Sequence, residues 1–238
     1  MTRRRWIADE VSGNQAALTG AHADHLVRVL RARTGQEYDI VAEGVLRRGR
    51  ISRIGAARVE FELGEEVTAP DVGANVTLLL AVFKFDRMEW AIEKCTELGV
   101  QRIIPVIARR TETHLASAAA KRAERWGRIA LQASEQSRRT TPSEIGEPMK
   151  LREAAGLSGG LRIVLSEAEP ETLLRDVVAA NESAHDVLLA IGPEGGWTED
   201  ELQLFREEAW ISASLGPTIL RAETAAIASI AITLAQLS

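Results

Sequence analysis

The residue types best suited to chemistry lie near the C-terminal end, in AIGPEGGWTEDEL (Ala190 to Leu202) and SLGPTILRAETAAIASIAI (Ser214 to Ile232). Gly192, Gly195 and Gly196 punctuate the first segment and Gly216-Pro217 the second. Glycines let backbone N–H and C=O groups approach a ligand closely. Neither segment is GxGxxG or GxxxxGK[ST], which excludes the usual dinucleotide and Walker phosphate cradles. No lysine lies nearby, and Glu194 puts a carboxylate inside the first loop. That charge disfavours a triphosphate and is compatible with a cation or a neutral adenosine.

Each segment reads as a strand, a tight turn and a helix. Val187 to Ile191 is an apolar run too brief for most helices. Thr198 followed by Glu201 has capping-box spacing, so a helix starts there. In the second segment Ile211 to Leu215 is the strand and Ala222 to Leu237 the helix. Loops at strand ends are where open α/β sheets bind ligands. Upstream, the pattern predicts strands over Val76 to Phe83, Ile103 to Ala108 and Arg162 to Ser166. It predicts helices over Asp86 to Leu98 (ended by Gly99), Ala116 to Gln136 and Glu171 to Ala180. Strands alternating with helices imply an α/β fold with a parallel sheet. The first ~70 residues read instead as mostly β. Strands are expected over Tyr38 to Ala42, Val45 to Ile54 and Val59 to Leu63, and a short helix over His22 to Leu30. Pro70 to Gly73 is the natural boundary.

The chain has 238 residues, 45% of them hydrophobic and 26% charged, which suits an ordinary globular protein of one or two domains. No apolar stretch approaches the ~18 residues of a membrane-spanning helix. Cys95 is the only cysteine, so no internal disulfide forms. Met88, Ile92, Cys95 and Leu98 recur at helical spacing, which assigns Cys95 to core packing. A net charge of −5 argues against a nucleic-acid partner, but its distribution argues the other way. Residues 1–58 carry +5 and residues 102–152 carry +6, against −6 for 59–101 and −10 for 153–238. Two basic blocks can attract phosphates whatever the total.

GPEGGWTEDEL followed by LGPTILRAETA resembles the paired signature of the SPOUT RNA methyltransferases, in their 16S rRNA (uracil-N3)-methyltransferase branch. KFDRMEWAIEKCTELGVQRIIPV (Lys84 to Val106), WGRIALQASEQSRR (Trp126 to Arg139) and HLVRVLRARTGQ (His25 to Gln36) are similar to upstream signatures of that branch. The resemblance implies a SPOUT-type parallel sheet with a C-terminal trefoil knot over residues 74–238, preceded by a small PUA-like β-barrel over residues 1–70. It implies S-adenosyl-L-methionine as methyl donor and N3 of a uridine in the 16S rRNA of the small ribosomal subunit as acceptor. A cytoplasmic homodimer is implied too, with no metal and no membrane association.

For the cofactor, the resemblance implies three loops. Leu165, Ser166 and Glu167 form the first, and Ile191, Gly192, Pro193, Glu194, Gly195 and Gly196 the second. Leu215, Gly216, Ile219 and Leu220 form the third, continued by Thr224 and Ala225. For catalysis, Arg221 is the first candidate to stabilise charge spreading over the uracil oxygens, followed by Arg139 and Arg110. Glu223, Glu135 or water would remove the N3 hydrogen. For RNA, the candidates are Arg5, His25, Arg28, Arg31, Arg110, Arg138 and Arg139. Thr218 stands where the branch commonly has an arginine, and Arg138 where glycine is frequent. The competing readings are the same fold acting on another RNA or a ribose 2′-hydroxyl, a non-catalytic ribosome-assembly factor, and a nicotinamide-dependent oxidoreductase. The last lacks its glycine fingerprint.

Overall fold

The computed structural model describes residues 5–68, 73–137 and 139–237. The chain divides into two compact units, residues 1–71 with 134–141 and residues 72–133 with 142–238.

In the first unit the strands are β1 (Arg5–Ile7), β2 (Glu10–Ser12), β3 (Gln15–Thr19), β4 (Glu37–Ala42), β5 (Val45–Ile54) and β6 (Arg58–Glu66). They form one sheet in the order β1-β4-β5-β6-β3-β2, antiparallel except where β1 meets β4. Along β6, Val59, Phe61 and Leu63 are buried while Glu62 is exposed, the period-two pattern of a strand with one wet face. Trp6, Leu18, Leu26, Ile40 and Ile51 complete that core. The helix expected over His22 to Leu30 is displaced and split. Helix α1 (Gly20–Asp24) starts two residues earlier, and His25–Val29 continues as a π-helical turn whose wider ring is closed by the Leu30 N–H donating to the His25 carbonyl.

The second unit contains β7 (Asn75–Ala81), α2 (Phe85–Leu98), β8 (Arg102–Ile107), α3 (Thr113–Gln136), β9 (Glu144–Ile145), β10 (Met149–Lys150) and α4 (Leu151–Ala155). It continues with β11 (Leu161–Leu165), α5 (Leu174–Ala179), β12 (Asp186–Ile191), α6 (Glu199–Glu207), β13 (Ile211–Ala213) and α7 (Ala222–Leu237). The last turn of α3, from Ser134, groups with the first unit. The sheet runs β10-β8-β7-β12-β11-β13, with β9 also on β8, and every pairing is parallel. Both faces are covered, which is why its central strands read as unbroken apolar runs. Val76, Leu78 and Leu80 of β7 pack toward Met88, Ile92 and Ile230, on the face carrying α2 and α7. Leu79 and Ala81 pack with Ala154, Phe205 and Trp210, on the face carrying α4 and α6. Cys95 is fully buried on α2 with Met88 and Ile92, whereas Leu98, expected beside them, is 41% exposed. Gly99 ends α2 at φ +123°, donating to the Cys95 and Thr96 carbonyls. Among the described residues no helix is long and apolar enough to cross a membrane.

Candidate functional site

Strand adjacency brings the three loops together. In the order β12-β11-β13 three neighbouring parallel strands end side by side, at Ile191, Leu165 and Ala213. Parallel strands present their C-terminal ends on one edge, so the chain leaving each strand enters the same space. That space is a cavity of about 390 Å³. The first loop contributes Leu165, Ser166 and Glu167, and the second Ile191, Gly192, Pro193, Glu194 and Gly196. The third contributes Leu215, Gly216, Ile219, Leu220 and Arg221, and α7 adds Ala225. Gly195, Glu223 and Thr224 stand next to lining residues without lining the cavity themselves.

Local chemistry fixes each loop. Ser166 N–H donates to the Ala213 carbonyl at 2.9 Å, so the first and third loops leave the sheet already joined. Gly196 sits at φ +69°, a conformation that favours glycine, and a Cβ there would collide with the Glu167 carboxylate, so a side chain at this position would displace that carboxylate from the cavity wall. The capping box forms as its spacing predicts. Glu201 N–H donates to Thr198 Oγ1, and Thr198 N–H donates to Glu201 Oε2 at 2.8 Å.

Trp197 and Arg87, absent from the sequence candidates, shape the cavity together with Thr218. Trp197, 6% exposed, donates from Nε1 to the Leu165 carbonyl at 3.1 Å, and its ring lies 3.3 Å from where a Gly192 Cβ would stand. One indole thus ties the first loop to the second. Its signal was the lone aromatic inside GGWTEDEL. Arg87, in the first turn of α2, donates from Nη1 to Glu194 Oε1 at 2.6 Å, and its Nε lies 3.9 Å from Glu223 Oε1. Thr218, at the position of the absent arginine, lines the cavity from an exposed turn. No local pattern could have revealed the Arg87 pairing, because its partners lie 107 and 136 residues away.

Arg221 is exposed and lines the cavity, and its side chain has no ion-pair or hydrogen-bond partner among the described residues. Its guanidinium is therefore available to an incoming anion or carbonyl. Glu194 is not free in the same way, since Arg87 holds it and Lys84 Nζ lies 4.0 Å away. Arg110 Nη1 donates to the Gly195 carbonyl and, at 3.3 Å, to the Trp197 carbonyl, bracing the second loop from outside.

Arg5, His25, Arg28, Arg31 and Arg139 belong to the first unit. Arg28 pairs with Asp24 at 3.3 Å, and Arg31 adopts φ +53°, uncommon for a residue with a side chain. The His25 ring meets Trp6 edge-on, with centroids 5.7 Å apart. Arg139 donates from Nε to the Thr141 carbonyl at 3.2 Å, and burial lowers its pKa to about 10, leaving it cationic at neutral pH. Glu135 is 3.6 Å from His22 Nε2, while His22 Nδ1 is 3.0 Å from Asp9. Burial raises the Glu135 pKa; His22 opposes that shift and Asp9 adds to it. Arg138 lies outside the described residues. Among those described, no cluster of three His, Cys, Asp or Glu side chains could hold a metal ion.

A profile describing an RNA methyltransferase domain matches residues 71–234. A protein named ribosomal RNA small subunit methyltransferase E from Aquifex aeolicus is 30% identical over 226 residues, covering 94% of this chain and 96% of that protein. The protein of that name from Rickettsia conorii is 35% identical over 185 residues, covering 76% and 73%. The crystal structure of a ribosomal RNA small subunit methyltransferase E from Neisseria gonorrhoeae bound to S-adenosyl methionine matches with a TM-score of 0.85 at 31% identity. It covers 97% of this chain and 96% of that one.

Proposed function

The chain belongs to the RNA methyltransferase family named by that domain, and from this premise we infer that it methylates N3 of a uridine in 16S rRNA, using S-adenosyl-L-methionine. The observation that carries this reading is the convergence of three loops, two of them glycine-containing, at adjacent parallel strand ends around a cavity of about 390 Å³, within the size range of small-molecule sites. The lining suits the donor. Leu165, Ile191, Leu215 and Leu220 offer an apolar slot for adenine, and the loop backbones offer hydrogen-bonding groups at its edge. Glu167 presents an exposed carboxylate toward a cationic ligand. When bound, the cofactor supplies an electrophilic methyl group on a sulfonium.

The protein's own contribution is orientation and charge. Uridine N3 lies on the Watson–Crick edge, so the base must enter unpaired or be extruded. Negative charge spreads to O2 and O4 as the N3 hydrogen leaves. Arg221, unpaired on the cavity wall, is placed to stabilise that charge. Glu223 is buried beside it, and water remains the other acceptor for the hydrogen. Under the same reading residues 74–238 form a SPOUT domain with a C-terminal trefoil knot, and residues 1–70 form a PUA-like barrel that holds RNA with Arg5, His25, Arg28 and Arg31. Arg110 and Arg139 extend the RNA contact, as would Arg138. The protein acts in the cytoplasm as a homodimer. The half-buried apolar side chains Ile227 and Ile232 on α7 and the exposed Trp90 on α2 support a partner surface.

The test has two readouts. Calorimetry should give micromolar-range binding of S-adenosylmethionine. Incubation with unmodified small-subunit particles should then yield 3-methyluridine by nucleoside mass spectrometry. Absence of donor binding would favour the non-catalytic assembly factor, and a 2′-O-methyl product would move the acceptor to ribose.

A further inference from the structure

We propose that Arg87 is a positioning residue for the donor site, a role that rests on the methyltransferase reading above. One guanidinium stands between two carboxylates from separate parts of the site. Its Nη1 donates to Glu194 of the second loop at 2.6 Å, and its Nε lies 3.9 Å from Glu223, two residues after Arg221. Glu223 is the more demanding partner. Its side chain is 7% exposed, and Oε2 has no hydrogen-bond partner among the described residues. Burying an ionised carboxylate is costly unless a cation compensates. Within 4.0 Å, Arg87 is the one cation among the described residues that does so. Glu194 has a second, weaker neighbour in Lys84, more than half exposed and 4.0 Å away.

The consequence is geometric. Glu194 fixes the tip of the GPEGG loop, and Glu223 fixes the first turn of α7, from which Arg221 and Ala225 reach the cavity. Because one side chain on α2 holds both, the separation of the second loop from the third is set by a group that belongs to neither. Arginine suits the task better than lysine, since its planar fork presents donors along two directions while an ammonium is a single point charge. Removing it leaves two carboxylates without their shared cation, and each then drives its loop toward solvent.

The test measures S-adenosylmethionine affinity by calorimetry, and donor KM and kcat on small-subunit particles, for wild type, Arg87→Ala, Arg87→Lys and Glu194→Gln/Arg87→Ala. Arg87→Ala should weaken donor binding and raise donor KM at least tenfold, and kcat should fall as well, because Arg221 stands two residues from Glu223 on the turn that Arg87 holds. Arg87→Lys should recover only part of that loss. In the Glu194→Gln background the Arg87→Ala loss should shrink at least threefold, because one of the stranded charges is gone. Should Arg87→Ala misfold by circular dichroism, Arg87→Lys carries the measurement, with at least a threefold loss expected. Wild-type affinity in the folded Ala variant, full recovery in the Lys variant, or additive losses in the double variant would each overturn the role while leaving the enzymatic reading intact. A wild-type protein that binds no donor would overturn both.

Discussion

Gly196→Ala tests the architecture of the site most directly, since the substitution adds one methyl group and changes no charge. Gly196 sits at φ +69°, and a residue with a side chain in that left-handed region costs about 1–2 kcal/mol. The new Cβ would also collide with the Glu167 carboxylate Oε1, and its Cδ would lie only 3.2 Å away. Glu167 is exposed and flexible, so it swings away and takes its carboxylate off the cavity wall. For a chain of this size about 1 kcal/mol lowers the melting temperature by roughly 2–4 °C, so the expected loss is about 2–8 °C. Calorimetry should show donor affinity falling at least tenfold. Gly13→Ala is the control: its φ is +57° and no atom lies within 4 Å of its Cβ, so it carries the conformational cost without a neighbour to displace. It should lower the melting temperature and leave donor affinity unchanged. A Gly196→Ala protein that melts within 1 °C of wild type and binds donor normally would refute the claim that this turn shapes the second loop.

Arg221→Ala should lower methyl transfer by about 10²–10³-fold while donor affinity stays within threefold of wild type, the pattern of a charge that acts on the reacting base. Normal turnover in that variant would remove the role. Trp197→Phe deletes the donor to the Leu165 carbonyl and strands a buried acceptor, so about 1–3 kcal/mol of stability should be lost in thermal unfolding, with weaker donor binding. Burial pushes the Cys95 thiol from 9.0 up to about 12. The folded state therefore holds that proton more tightly than the unfolded chain. Its contribution to stability is complete below pH 9 and is lost as pH rises toward 12. Denaturant titrations at pH 8 and pH 10 should show the decline, and a thiol reagent at pH 8 should label Cys95 only after unfolding.

Several elements of both units were legible locally. Helix α7 spans the predicted Ala222 to Leu237, and β5 the predicted Val45 to Ile54. The Thr198–Glu201 box forms because capping needs only residues three positions apart. Other boundaries moved where distant chain intervened. The helix predicted from Glu171 begins at Leu174, because Leu173 bridges to Ser214 and Leu174 N–H donates to the Ser214 carbonyl, which keeps the preceding residues extended. The same bridge ends the strand predicted to Leu215 at Ala213. Strands β1, β2 and β3, with three to five residues each, carry too little alternation to be read singly.

The donor loops themselves followed from glycine placement and from the resemblance of their motifs, since turn geometry and backbone access are properties of short segments. Sequence alone could not say that β11 lies between β12 and β13, the adjacency that turns three separate loops into one cavity. Nor could it say that Glu194 would be claimed by Arg87, or that Trp197 would fasten Leu165 to the loop at Gly192. Local conformation depends on neighbouring residues in the chain, whereas charge pairing and cavity walls depend on which strands lie side by side, and that ordering is decided only when the whole sheet assembles.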